Sequence, residues 1–234
     1  MRVFALVVAA GSGSRMLSAG ENKAFLTLAG RPLVFYALKT MCDAPLVDQV
    51  ILVVKASHME RARCIVDEYG LSKVAPIVAG GDTRTASVRN GLASIKALDD
   101  DIVLIHDGAR PFLTGAMVDN AANTARLSGA AVVGVPCTAT IKEVTDTRSI
   151  QKTPDRKYLW EAQTPQAFRY GILKEAYDSF AAENATDDSV LVERLGQAVI
   201  MVPGDRTNIK VTVPEDLMIA EAILKMRQET AGGQ

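Results

Sequence analysis

The chain has 234 residues, 48% of them hydrophobic and 23% charged, the composition of one large folded domain over 1–234 and not of a disordered segment. Its 26 Lys and Arg face 27 Asp and Glu, a formal charge of -1, so no basic excess exists to collect a nucleic-acid backbone and no nucleic-acid partner is expected. Cys42, Cys64 and Cys137 are widely spaced with no CxxC pair, which argues against a disulfide framework or a zinc site and points to reduced thiols in the cytoplasm.

Arg2 followed by the apolar run Val3 to Ala10 imitates the start of a signal peptide, but the run has only eight residues and enters a glycine-rich turn, so a buried strand is expected. No stretch approaches the roughly 18 apolar residues of a membrane span. Val3 to Val8, Val50 to Val54, Val74 to Val78, Ile102 to Ile105 and Ala131 to Val135 read as strands buried on both faces. Between them helices are predicted over Leu33 to Met41, opened by Pro32, and over Ser57 to Tyr69, Thr85 to Leu98 and Thr114 to Ser128. Strands alternating with helices predict an α/β fold: a doubly wound, mostly parallel, Rossmann-like sheet. Its ligand belongs at the carboxyl ends of the strands.

The alternation breaks between Pro136 and Pro165, where short β-type pieces (Thr138 to Val144, Ser149 to Lys152) mix with polar turns. A projecting β-arm over about 136–165 is expected, because so long an excursion in a compact domain usually serves binding. Helices return at Tyr170 to Glu183 and Asp187 to Leu195, then a strand at Ala198 to Val202, a helix from Pro214 to Arg227 and a frayed tail from Glu229.

The first strand runs into Ala9-Ala10-Gly11-Ser12-Gly13-Ser14-Arg15-Met16, where glycines let backbone N–H groups face an anion and Arg15 adds a charge-assisted contact. The third glycine and distal acid of a dinucleotide fingerprint are missing, as is the Gly-Lys-Ser/Thr of a Walker A loop. A nucleotide-phosphate loop of another type remains, beside the plainer reading of a structural turn. Lys23 follows this loop, either as a phosphate-site cation or as a solvated lysine. Gly80-Gly81-Asp82-Thr83-Arg84 offers a second glycine pair at a strand end, leading into a helix through Ser87. After the fourth strand, His106-Asp107-Gly108-Ala109-Arg110 places a carboxylate for a hard cation such as Mg2+ and a guanidinium for a second phosphate. A metal hydrolase would need more ligands, and His58 is the only other histidine; His106 is expected to be packed against a backbone partner. So few histidines suit an acceptor that needs no base. A phosphate monoester, with a second pKa of about 6, is such an acceptor; positioning and charge neutralisation by Arg15, Lys23, Asp107 with Mg2+, and Lys210 then suffice.

Taken in order, AAGSGSRM, NKAFLTLAGRPLVFYAL, GGDTRTASV, HDGARPF, DRKYLWEAQTPQAF, ATDDS and NIKVT resemble the 2-C-methyl-D-erythritol 4-phosphate cytidylyltransferase family from Val3 to Leu224. The resemblance implies transfer of CMP from CTP to 2-C-methyl-D-erythritol 4-phosphate, giving 4-diphosphocytidyl-2-C-methyl-D-erythritol and pyrophosphate in isoprenoid precursor biosynthesis. It implies that Ala9, Ala10, Gly11, Gly13, Gly81, Asp82 and Ser87 line the CTP pocket, and that Arg15, Lys23 and Lys210 act catalytically around the triphosphate. It places Asp107 at the metal and the acceptor, and Arg110, Thr164 and Thr186 beside the substrate. It also implies a homodimer in which the arm, carrying Thr140 and Arg156, reaches the partner's site. The chain departs from the family's pattern at Asn22, usually proline, and at Leu17, usually glycine, and Met16 to Lys23 is one residue longer. Close relatives transfer CMP to ribitol 5-phosphate; Ala109 before Arg110 leans toward methylerythritol phosphate, because ribitol enzymes tend to carry a bulkier residue there. A catalytically silent nucleotide-binding regulator is the reading from another class. Joint retention of Arg15, Lys23, Asp107, Arg156 and Lys210 argues against it.

Overall fold

The computed structural model describes residues 1–11, 22–180 and 185–232. In chain order these form β1 (Val3–Val8), a 3-10 turn (Lys23–Phe25), β2 (Thr27–Leu28), β3 (Arg31–Pro32), α1 (Leu33–Asp43), β4 (Gln49–Val54), α2 (Met59–Glu68), β5 (Val74–Ala79) and α3 (Arg84–Ala93). Then follow β6 (Ile102–Asp107), α4 (Gly115–Ser128), β7 (Ala130–Pro136), β8 (Glu143–Val144), β9 (Ile150–Lys152), β10 (Trp160–Arg169), α5 (Tyr170–Ser179), α6 (Ser189–Arg194), β11 (Ile200–Pro203) and α7 (Pro214–Gly232). No described helix is long and apolar enough to cross a membrane.

Seven strands form one sheet in the order β11-β7-β10-β6-β1-β4-β5. β1 lies parallel to β4 and β6, β4 to β5, and β11 to β7. Strict alternation along the strands builds two cores. Val3, Ala5 and Val7 face one side with Leu38 of α1, Ala62 of α2 and Ala121 of α4, whereas Phe4 and Leu6 face the other with Val88 of α3, Leu173 of α5 and Leu191 of α6. A third cluster joins Leu28, Leu33, Ala109, Phe112 and Val211 to Ala220 of α7. Because both faces are covered there, β1, β4 and β7 are almost wholly buried, as their sequence implied, whereas β5, expected to be buried on both faces, is an edge strand that leaves Ala75 and Pro76 exposed.

The sheet departs from expectation at β10, which runs antiparallel between β6 and β7. The expected arm over 136–165 is therefore shorter. Trp160 to Pro165 belong to this inserted strand, and the excursion spans 137–159, closed at its base where Cys137 N–H donates to Leu159 O at 2.9 Å and tipped by the β8–β9 ladder. Pro165 and the polar Glu161, Gln163 and Thr164 concealed the strand. Proline is tolerated in mid-sheet only at an irregularity, and the β7–β10 register shifts between Ala162 and Gln166. Other boundaries move by a few residues: α3 ends at Ala93 and not Leu98, α5 ends at Ser179, and α7 continues through the expected frayed tail to Gly232. Glu183, the predicted end of α5, lies outside the described residues.

Candidate active site

A cavity of about 600 Å3 opens at the carboxyl ends of β1, β4, β5 and β6, where chain order along the sheet reverses and open α/β sheets bind ligands. The sequence-predicted Ala9, Ala10, Gly11, Lys23, Gly81, Asp82, Ser87, Asp107 and Lys210 all line it. Gly13 and Arg15 lie outside the described residues. Gly80 is glycine because the ends of β1 and β5 converge: a Cβ there would strike the Ala10 Cβ and come within 2.8 Å of Ser87 Oγ. Ser87 accepts the Gly81 N–H at 3.1 Å and donates to Thr83 O at 2.8 Å, so its hydroxyl shapes the turn that exposes the glycine backbone. Thr83 caps α3 by accepting the Ala86 N–H. Asn22 is 2% exposed. Its Nδ2 donates to Ala9 O at 2.6 Å and its Oδ1 accepts the Ala24 N–H at 3.0 Å, tying the turn that carries Lys23 to the end of β1.

Asp107 ends β6 and is the charged centre of the cavity. Arg84 Nε stands 3.2 Å from Oδ1, Lys210 Nζ 2.7 Å from Oδ2, and Arg110 Nε 3.9 Å from Oδ2. Burial alone would raise this carboxyl, but Arg84, Lys210 and Arg110 hold it well below the usual carboxylate range. Burial also works against the Arg84 charge; Asp188 and Asp107 overcome it and keep the guanidinium protonated. Lys210 is delivered by the segment after β11, which is tied to the sheet by Gln163 Nε2 to Asp205 O (2.8 Å), Arg110 Nη1 to Asn208 O (2.7 Å), Asn208 Nδ2 to Thr164 O (3.0 Å) and Val211 N–H to Ala109 O (2.9 Å).

Beneath Asp107 runs a buried relay. Its N–H donates to Thr164 Oγ1 at 3.1 Å, and that hydroxyl contacts His106 Nδ1 at 2.9 Å. Arg110 O, 3.1 Å from Nε2, can only accept, so the neutral ring carries its proton on Nε2 and Nδ1 accepts the Thr164 hydroxyl. Burial pushes His106 down to about 4, so it is neutral and packed against a backbone partner, as expected. Thr164 supports Asp107 from below and does not line the cavity. Thr186 is exposed beside α6. Thr140 and Arg156 are exposed on the arm, away from their own cavity, with Arg156 Nη1 donating to Thr138 O at 3.2 Å.

Lys55, just after β4, and Arg84, the first residue of α3, are not among the residues expected from sequence, yet both line the cavity. Arg84 carried a usable signal, a cation directly after a glycine pair at a strand end. Asp188 stands in the ATDDS segment, but its pairing with Arg84 spans 104 residues of chain and has no local signal.

A doubly wound sheet whose cleft sets glycine backbone on one wall and a carboxylate among three cations on another defines an α/β enzyme of the nucleotidyltransferase class. The family described as 2-C-methyl-D-erythritol 4-phosphate cytidylyltransferase matches residues 3–226, and the chain belongs to it. It is 46% identical over 230 residues to the enzyme of that name from Geobacter metallireducens, covering 96% of this chain and 98% of that one. Against the enzyme from Geotalea uraniireducens it is 46% identical over 229 residues, covering 96% and 97%. Among solved structures, 4-diphosphocytidyl-2C-methyl-D-erythritol synthase from Anaerococcus prevotii superimposes with a TM-score of 0.85 at 30% identity, covering 96% of each chain. The cytidylyltransferase from Thermus thermophilus superimposes at 0.75 with 31% identity, covering 96% of this chain and all of that one.

Proposed function

We propose that this chain transfers CMP from CTP to 2-C-methyl-D-erythritol 4-phosphate in the cytoplasm. An oxygen of the acceptor phosphate attacks the α-phosphorus of CTP, the bond to the β-phosphate breaks, and pyrophosphate leaves. The acceptor is already largely dianionic at neutral pH, so no general base is required, and the only buried histidine beside the site is neutral and internally bonded. The observation that carries the reading is Asp107 at the base of a glycine-walled cavity with Arg84, Lys210 and Arg110 around it.

In this reading Ala9 to Gly11, Gly81, Asp82 and Ser87 hold the nucleotide. Arg15, Lys23 and Lys210 neutralise charge developing on the triphosphate, and Arg110 and Thr186 border the acceptor. Among the described residues no cluster of three or more metal-ligating side chains exists. The donor set, Asp107 with Asp82 on the cavity wall, suits a Mg2+ that brings phosphate oxygens with it, since that ion takes one or two carboxylates plus substrate phosphates. When bound, it supplies charge neutralisation at the triphosphate.

A homodimer completes the site. The arm exposes Ile141, Val144, Ile150 and Tyr158, with Trp160 exposed at the start of β10 beside its base, an apolar set that one subunit leaves uncovered, and carries Thr140 and Arg156 out toward a partner's acceptor. The test is incubation with CTP, Mg2+ and each polyol phosphate while monitoring pyrophosphate. Methylerythritol phosphate should be strongly favoured over ribitol 5-phosphate and CTP over ATP; equal kcat/KM for the two acceptors would refute the assignment.

A further inference from the structure

Behind the cavity lies a carboxylate that does not line it. Asp188, at the start of α6, is fully buried. Its backbone N–H and that of Ser189 both donate to Gln166 Oε1 on β10, at 3.0 and 3.1 Å, so its main chain is pinned to the strand beside β6. Its Oδ1 accepts the Tyr177 hydroxyl at 2.5 Å and its Oδ2 accepts Arg84 Nη2 at 2.7 Å. Arg84 in turn presents Nε to Asp107 Oδ1 at 3.2 Å. A single guanidinium thus bridges two carboxylates, one inside the fold and one in the cavity.

We infer that Asp188 is a positioning residue for the transfer reaction, acting through Arg84 to fix the orientation of Asp107. A guanidinium is a planar fork that pairs with a carboxylate through two parallel bonds when nothing else claims its second edge. Asp188 claims that edge. Only Nε then reaches Asp107, and Oδ2 stays with Lys210 at 2.7 Å. Without a charge at 188, the half-buried guanidinium has Asp107 as its remaining anionic partner and closes on both oxygens, drawing the carboxylate away from Lys210. Lysine at 84 keeps a positive charge but, as a point charge, cannot hold the two carboxylates apart in the same plane.

The kinetic consequence rests on the cytidylyl-transfer reading, and the structural consequence does not. Asp188→Asn should lower kcat by about tenfold or more, in line with the cost of a displaced catalytic group, while KM for CTP stays within about threefold. Arg84→Lys should show a similar loss. Because both act on one contact, the double variant should be no more than about twofold slower than the slower single. Multiplicative losses, or kcat within twofold of wild type in either single variant, would overturn the inference. Should Asp188→Asn not fold, Asp188→Glu decides: it keeps the buried charge but moves it by one methylene, so kcat within twofold of wild type would overturn the inference. A crystal structure of Asp188→Asn gives the activity-independent answer: Arg84 paired through two nitrogens with Asp107 supports the strut, and Arg84 in its original place refutes it whichever acceptor the enzyme uses.

Discussion

Replacing Thr164 by valine removes a single oxygen at nearly constant shape, and the structure states what that oxygen does. It accepts the Asp107 N–H at 3.1 Å and contacts His106 Nδ1 at 2.9 Å, and all three residues are buried. Valine leaves a buried donor and a buried acceptor unpaired, each costing about 1–3 kcal/mol. The expected loss is about 4 kcal/mol, which for a chain of this size lowers the melting temperature by roughly 8–16 °C. Serine keeps the hydroxyl and gives up one methyl group, worth about 1 kcal/mol. Melting of wild type, Thr164→Ser and Thr164→Val by circular dichroism should therefore rank them in that order, with the larger step at valine. If valine melts within about 2 °C of serine, the relay beneath Asp107 does not exist as described.

Acid should weaken the fold through the same relay. His106 is held neutral down to about 4 against an unfolded value of about 6.5, so the unfolded chain binds the extra proton between these limits. Stability is full above about pH 6.5, falls by about 2 kcal/mol on going from pH 7 to pH 5, and falls further below about pH 4, where the Asp107 carboxyl takes up a proton in the unfolded chain but, its pKa depressed, stays ionised in the fold; urea titrations that coincide at pH 7 and pH 5 would contradict this. Lys23→Ala should keep CTP binding within about tenfold and lower kcat by about 100-fold or more, whereas near-normal kcat with altered melting would remove Lys23 from the catalytic set. Mixing Lys23→Ala with Arg156→Glu tests the shared site: random pairing makes about half the dimers mixed, each with one intact site, and activity should recover to roughly a quarter of wild type. Absence of recovery after verified subunit exchange would show that Arg156 does not serve a partner.

The sequence by itself determined the strand–helix alternation, the burial of β1, β4 and β6 on both faces, and the place of the ligand. These are encoded by local periodicity, which a run such as Val3 to Val8 carries without knowledge of its neighbours. It also delivered the cavity walls, because glycines and a carboxylate at strand ends are legible one segment at a time. Tertiary structure alone decided the rest. β10 reads as polar excursion until its Gln163, Thr164 and Gln166 find partners at Asp205, Asp107 and Asp188; a polar side chain in a central strand makes physical sense only once the distant group that satisfies it is known. The pairing of Arg84 with Asp188 across 104 residues and the proton position on His106 have the same origin. Propensity acts between near neighbours in the chain, whereas the field and hydrogen bonds at Asp107 come from groups brought together only by the assembled fold.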